Sequence, residues 1–424
     1  MSHINTKCIQ EGYTPKSGEP RVLPICQSTT YKYEDAETLG DLFDFNASGH
    51  FYTRLSNPTV EAVEKKIAAL EGGVGAMLTS SGQGATTAAI LTVCSAGDHI
   101  VSSTSIYGGT FNLLNITLRK LGIDATFVSP DASDEEIEAA IRPNTKLLFG
   151  ETVANPALTV LDIERWANIA HKNHMPLFVD NTFPSPVNCR PFEWGADIVL
   201  HSTSKYLDGH AMALGGCVVD SGKFDWTASE RFADFCSPDE SYHGLVYTEK
   251  FGNAAFIAKA RAQMMRDIGM MMSPMNAFLL NVGIETLHLR MPEHCKNAQA
   301  VAEYLQSNPQ IAWVEYPGLP SNKYHKLAEK YMPNGTCGVI SFGIKGGRKA
   351  AGKFMESVKL AAPVIHVADA RTCVLHPAST THRQLSDEQL VACGVTPDLI
   401  RMSGGIEYVG DIIDDIEQAL AKCL

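Results

Sequence analysis

The sequence predicts an α/β fold in unequal parts around a mainly parallel sheet, and three observations predict it. At 424 residues the chain is longer than one hydrophobic core ordinarily serves, so two or three domains are expected. From about residue 75 to residue 220, short apolar runs alternate with turns and helical patterns, as parallel strands joined by crossovers require. Beyond residue 270 a second stretch mixes helical and strand-like segments. The expected division is an N-terminal arm over 1–59, a large domain over 60–270 and a small C-terminal α/β domain over 271–424.

The arm is irregular, rich in aromatics, turns and polar residues, and contains Phe51-Tyr52-Thr53-Arg54-Leu55-Ser56-Asn57-Pro58. Asn57 before Pro58 is a helix start: a capping side chain, then a residue with no N–H to satisfy. Val60, Val63, Ile67 and Leu70 follow at helical spacing, and Gly72-Gly73 ends the helix. Apolar runs then come at Ala76–Leu78, His99–Val101, Ala125–Val128, Leu147–Phe149, Leu177–Val179 and Ile198–Leu200, with a helical pattern over Ile163–Ala170. In parallel sheets ligands gather at the carboxyl ends of the strands, so the residues after each run carry the interest. Ser80-Ser81-Gly82-Gln83-Gly84-Ala85 follows the first run, and Asn155-Pro156 comes shortly after Leu147–Phe149. Asp180 directly follows Leu177–Val179, and His201-Ser202-Thr203-Ser204-Lys205 follows Ile198–Leu200. Residues 230–265, with Ser237-Pro238-Asp239-Glu240-Ser241-Tyr242-His243-Gly244, read as a linker-like stretch. A helical segment through Ile284, Leu287 and Leu289 opens the second region. There Leu399–Ser403 reads as a strand, and Ile412, Ile413, Ile416 and Leu420 mark a closing amphipathic helix. No internal repeat is visible.

Composition narrows the function classes. With 45% hydrophobic residues and no low-complexity tract, the chain reads as ordered and globular. Its 19% of charged residues lies below the usual quarter, which a large interior or surface buried between subunits would each explain. A formal net charge of -12 speaks against nucleic-acid binding. No apolar run is long enough for a membrane span, and the polar residues 1–20 lack the apolar stretch of a signal peptide, so a cytoplasmic protein is expected. The 11 cysteines include no C-x-x-C and read as reduced thiols. His376 and His382, in His376-Pro377-Ala378-Ser379-Thr380-Thr381-His382, have no familiar ligand spacing, and no metal site is expected.

Several residues have both a chemical and a structural reading. The small residues of Ser81-Gly82-Gln83-Gly84 let backbone N–H groups approach a phosphate at a helix start, and they equally suit a tight strand-to-helix turn. Asp180 suits a protonated heterocyclic nitrogen, or a cap or buried ion pair. Lys205, among small hydroxyl residues, becomes a nucleophile if it is desolvated near another cation, and otherwise is an ordinary lysine. Tyr107 could stack on a flat heteroaromatic or fill a core. Arg401, flanked by apolar residues, needs a partner: a substrate carboxylate or a structural one.

Jointly these segments resemble the pyridoxal-phosphate enzymes of cysteine and methionine metabolism over nearly the whole chain. The most specific are Val179-Asp180-Asn181-Thr182-Phe183, His201-Ser202-Thr203-Ser204-Lys205-Tyr206 with Gly209-His210, and Tyr52-x-Arg54-x-x-Asn57-Pro58. The resemblance implies the aspartate aminotransferase-like fold type I, with the cofactor in the large domain. It implies that Lys205 carries the Schiff base and shuttles protons, Asp180 pairs with the ring nitrogen, Tyr107 stacks on the ring and Asn155 reaches the ring hydroxyl. Gly82, Gln83, Ser202 and Ser204 would hold the phosphate. Tyr52 and Arg54 would reach the phosphate of a neighbouring subunit within a tetramer of two dimers. Arg401 would bind the substrate carboxylate, with Tyr52 and His366 beside it.

Three features are similar to the sulfhydrylase branch, whose members exchange the acyloxy group of O-acetylhomoserine for sulfide or a thiol: His376–His382, Pro238–Gly244, and a glycine, Gly109, where γ-lyases commonly carry cysteine. A γ-lyase and a cystathionine γ-synthase-like transferase are the alternative activities; a non-catalytic cofactor-binding protein and an NAD oxidoreductase fit less well. His366-Val367-Ala368 departs from the Ser- or Asn-x-Gly of relatives, and Ser403-Gly404-Gly405 from their Ser-Val-Gly. These departures leave the acyl donor open, and His366 either faces the pocket or turns into structure.

Overall fold

A computed structural model describes residues 2–381, 383 and 395–423. Seven strands form the large sheet: β1 (Gly75–Thr79), β2 (His99–Ser103), β3 (Asp124–Val128), β4 (Thr145–Glu151), β5 (Leu177–Asp180), β6 (Ile198–His201) and β7 (Gly216–Asp220). Their order is β1-β7-β6-β5-β4-β2-β3. β2, β3, β4, β5 and β6 pair in parallel, whereas β7 runs antiparallel to both β6 and β1. The apolar runs are continuous because both faces are covered. Leu148, Val179 and Val199 enter one core layer, while Leu147, Phe149, Phe178, Ile198 and Leu200 enter the layer on the other face.

The expected helix spans Pro58–Glu71. The Asn57 side chain accepts from the Thr59 and Val60 N–H groups, and Gly72 ends the helix in the left-handed region at φ 83°. The Asn57 amide also donates to the Cys26 carbonyl at 2.8 Å and to the Tyr31 hydroxyl at 3.0 Å, so the cap fastens the arm. The arm is otherwise irregular, with short helices at Ile4–Gln10 and Ala36–Phe43.

The linker-like reading of 230–265 is corrected. Short helical turns cover most of it, including Tyr247–Phe251 and Ala255–Lys259. The cause is aromatic packing: Trp226 stacks on Phe235 at 4.3 Å and on Phe256 at 5.5 Å, and Phe232, Phe235, Tyr247 and Phe256 are fully buried. Turn-like composition at Ser237–Gly244 hides anchors on either side.

The second sheet has five strands, β8 (Ile311–Glu315), β9 (Val339–Ile344), β10 (Ala362–Pro363), β11 (Cys373–Leu375) and β12 (Leu399–Ser403), in the order β10-β11-β12-β9-β8. Only β10 and β11 pair in parallel. The fold is thus α/β, with a mainly parallel large sheet and a smaller second sheet. Helices Leu287–Ser307 and Val409–Leu420 share a core with β9 and β12. Ile400 and Met402 point into that core, so the period of two along a strand turns Arg401 to the opposite face, toward the large sheet. Helix Pro274–Glu285, just past residue 270, packs its Ala277, Leu280 and Ile284 into the large sheet's core. No helix among the described residues is long and apolar enough to cross a membrane.

Candidate functional site

A cavity of about 410 Å³ opens where the carboxyl ends of the parallel strands meet the second sheet. Its wall includes Gly82, Gln83, Tyr107, Asn155, Asp180, Ser202, Ser204, Lys205, His366 and Arg401. Ten of the residues singled out in the sequence therefore converge. Tyr52 and Arg54 do not line it; the Arg54 guanidinium lies 5.0 Å from the centre of the Tyr52 ring, on the arm.

The floor is made where two strands, β1 and β6, run out into the segments that follow them. Ser81 caps helix Gly82–Val93, accepting from the Gly84 N–H at 3.0 Å. A Cβ on Gly82 would stand 2.7 Å from Ser202 Cβ, so only glycine lets the helix start approach the loop after β6. Between these loops runs β7, and a Cβ on its first residue, Gly216, would collide with the Ser81 carbonyl. The Ser202 hydroxyl has no hydrogen-bond partner among the described residues. The Ser204 hydroxyl donates to the Gly215 carbonyl at 3.2 Å and accepts from its N–H at 2.9 Å, so its one hydrogen is committed to the backbone. Gln83 donates to Thr110 at 3.1 Å.

Asp180, at the end of β5, accepts on Oδ1 from the Thr182 N–H at 2.9 Å and the Thr182 hydroxyl at 2.5 Å. Its Oδ2 has no hydrogen-bond partner among the described residues. Burial raises its pKa, and the Thr182 bonds pull the other way. Thr182 Oγ1 also accepts from the Ser202 N–H at 2.8 Å, tying the end of β5 to the end of β6.

Lys205 lies 3.4 Å from His366, Nζ to Nδ1. Burial first, and the Arg401 guanidinium second, bring its pKa down to about 8. Arg401 donates to Asn155 Oδ1 at 3.2 Å and to the Ile365 and His366 carbonyls at 2.9 and 3.4 Å, and its buried Nε has no partner. Burial lowers its pKa to about 10, which leaves it charged at neutral pH.

The sequence reading missed Glu151 and gave Thr182 no role. Glu151 is buried at the end of β4, in register with Asp180, and accepts from the Tyr107 N–H at 2.6 Å. Burial and the Asp180 charge hold its pKa well above the usual carboxylate range, so the pair shares one strand-end environment in which the second negative charge is disfavoured. The signal was present: Glu151 closes an apolar run as Asp180 does. His376 is buried away from the cavity, bonded to Ser379 and the Pro397 carbonyl, and His382 lies outside the described residues. Pro238–Gly244 does not line the cavity either; Asp239 there caps its own turn and accepts from Tyr247 and Gln263.

A family model described as Cys/Met metabolism PLP-dependent enzyme matches residues 5–421. A homocysteine synthase of Schizosaccharomyces pombe is 46% identical, covering 99% of this chain and 98% of its own. An O-acetyl-L-homoserine sulfhydrylase of Leptospira meyeri is 45% identical, covering 94% of this chain and 92% of its own. A crystal structure from Campylobacter jejuni, provisionally assigned as an O-acetylhomoserine (thiol)-lyase and carrying N'-pyridoxyl-lysine-5'-monophosphate, superposes with a TM-score of 0.95 at 35% identity over 99% of this chain and 100% of that one.

Proposed function

The chain belongs to the Cys/Met metabolism PLP-dependent enzymes, and on that premise we propose that it exchanges the acetoxy group of O-acetyl-L-homoserine for sulfide, giving L-homocysteine and acetate. The observation that carries the chemistry is Lys205, an amine buried beside a guanidinium with its pKa near 8. The names of the relatives carry the choice of substrates.

The residues present suit pyridoxal phosphate. The glycine start of helix Gly82–Val93, packed on Ser202 with its hydroxyl free, is a cradle for a phosphate at the positive end of a helix. Asp180 keeps one oxygen unpartnered in the cavity wall, which suits a protonated ring nitrogen. In this reading Lys205 holds the cofactor covalently, Gly82, Gln83, Ser202 and Ser204 take the phosphate, and Ser204 also braces Gly215. Tyr107 lies against the ring, and Asn155 reaches its hydroxyl. When bound, the cofactor supplies an electron sink for negative charge at the substrate Cα.

The rest falls to the chain's own groups. Arg401 presents a guanidinium already braced by Asn155 and two carbonyls, so a substrate carboxylate meets a fixed fork. Lys205, with a pKa close to the working pH, takes a proton from Cα and hands one back. The Asp180 carboxylate faces the ring end and Arg401 the carboxylate end, which orients the substrate along the cavity. Tyr52 and Arg54 stand outside their own chain's cavity, which supports their reaching a partner subunit's site in a homodimer, two of which would form a cytoplasmic homotetramer.

The test is to incubate the holoenzyme with O-acetylhomoserine, with and without sulfide, and to assay homocysteine and 2-oxobutyrate. Homocysteine formed only with sulfide is the expected result. Abundant 2-oxobutyrate without sulfide would instead make the protein a γ-lyase.

A further inference from the structure

Resting on the reading of Lys205 as the reactive amine, we propose that His366 is a positioning residue for Lys205: its uncharged ring aims the amine, and its protonation releases it, giving the site an acid-side switch. Among the described residues, His366 is the one side chain within hydrogen-bond reach of Lys205 Nζ, at 3.4 Å from Nδ1, and no carboxylate forms an ion pair with that lysine. The ring is carried on a fixed backbone. The His366 carbonyl accepts from Arg401 at 3.4 Å and from the Cys373 thiol at 3.2 Å, and the Ala368 N–H donates to Ser403 Oγ at 2.8 Å. The aim of an amine rooted in the large sheet is thereby set by the small one.

The chemistry of the two groups makes the contact depend on charge. As a free amine Lys205 has an N–H to give whether or not it is protonated, so a neutral imidazole with its proton on Nε2 accepts from it in either state. That contact directs the amine's remaining hydrogens or lone pair. An imidazolium has no lone pair, and its Nδ1–H would face another donor. The groups around the ring are set against the charged form. Burial first and the Lys205 ammonium second disfavour it; Asp369 and Asp208 favour it, the Arg401 guanidinium opposes it least of all, the net direction is down, and the Cys373 thiol stays neutral. Behind the ring, Nε2 is buried with no partner, so no carboxylate holds a positive charge in place. The switch therefore lies below pH 6.5, apart from the titration of Lys205 near 8.

His366→Gln keeps an acceptor that does not titrate in this range, and His366→Phe keeps a ring of similar size without one. In the full-length holoenzyme, the visible absorbance of the lysine-bound cofactor is followed against pH. The exchange of the α-proton of L-norvaline in D2O is followed by NMR. The expected result is a spectral step and an acid limb of exchange below pH 6.5 in the unsubstituted protein, both absent in His366→Gln. At pH 8, His366→Gln should exchange within about threefold of the unsubstituted rate and His366→Phe about 10-fold or more slowly, the size of a modest misaim. Persistence of the acid step in His366→Gln, or an undiminished rate in His366→Phe, would overturn the inference. Absence of a borohydride-sensitive visible band from the unsubstituted protein would instead overturn the reading of Lys205 on which it rests.

Discussion

The two walls of the cavity come from different sheets and carry opposite charge. The large-sheet wall ends in carboxyls, Glu151 and Asp180, with hydroxyls at Thr182 and Ser202. The small-sheet wall presents Arg401 and the ring of His366. Lys205, rooted in the first wall, faces the second. Burial acts on every one of these ionisable groups, yet with different results. It brings the lysine to about 8, inside the working range, and the arginine only to about 10, outside it. Burial at one cavity thus makes a proton carrier and a permanent cation from two bases, because their starting values differ.

That contrast can be broken at either wall. The largest effect belongs to Lys205→Ala, which should lower homocysteine formation by about 10⁴-fold or more, since attachment and proton transfer are both lost. Asp180→Ala removes the anion at the opposite end and should slow turnover by roughly 10²-fold, about 2.7 kcal/mol of barrier. Cofactor still bound after that substitution, read from the visible band, would show that the loss is chemical rather than structural. On the other wall, Arg401→Lys keeps a charge but not the fork, and should raise KM for O-acetylhomoserine by about 10- to 100-fold, the worth of charged hydrogen bonds. An equal fall in kcat with unchanged KM would mean that Arg401 acts on the reacting atoms instead. The contrast between the two bases is sharpened by pH: in cofactor-free protein, acylation of Lys205 should rise with the unprotonated fraction through about pH 8, while exposed lysines respond at higher pH. The smallest effect is a recovery. Arg54→Ala protein, weakened in cofactor retention, and inactive Lys205→Ala protein should gain activity when mixed and allowed to exchange subunits, because one hybrid site then holds both intact residues. No regain would place Arg54 in its own chain's site.

The large-sheet wall was the easier to read in the sequence. Asp180 and Lys205 come immediately after apolar runs, and the end of a parallel strand is a fixed address for a ligand. Gly82 was legible for the same reason. Glu151 has the same address but stands one glycine beyond its apolar run, whereas Asp180 follows its run directly. Arg401 was legible as a charge stranded between Ile400 and Met402, although its facing needed the strand's alternation against a core. His366 could not be placed, since its segment carries no periodicity and only the pairing of distant strands brings it to Lys205. The strand β7 escaped for a related cause: five residues that begin on the second of two glycines give little local signal, and their partners lie 16 to 22 and 137 to 145 residues away in the sequence. The aromatic layer around Trp226 was hidden by turn-like composition, because stacking between Trp226, Phe235 and Phe256 has no sequence period.

β7 contributes no residue to the cavity wall, yet it is inserted between β1 and β6, the two strands whose outgoing loops form the floor of the cavity. Its first residue touches one loop so closely that a single methyl group on Gly216 would strike the Ser81 carbonyl, while Ser204 in the other loop clasps Gly215. The strand is in effect a gauge block. The two loops stand apart by the width of one strand with nothing projecting from its end, so in the proposed phosphate site the fit to the anion would be set by an interval of bare backbone.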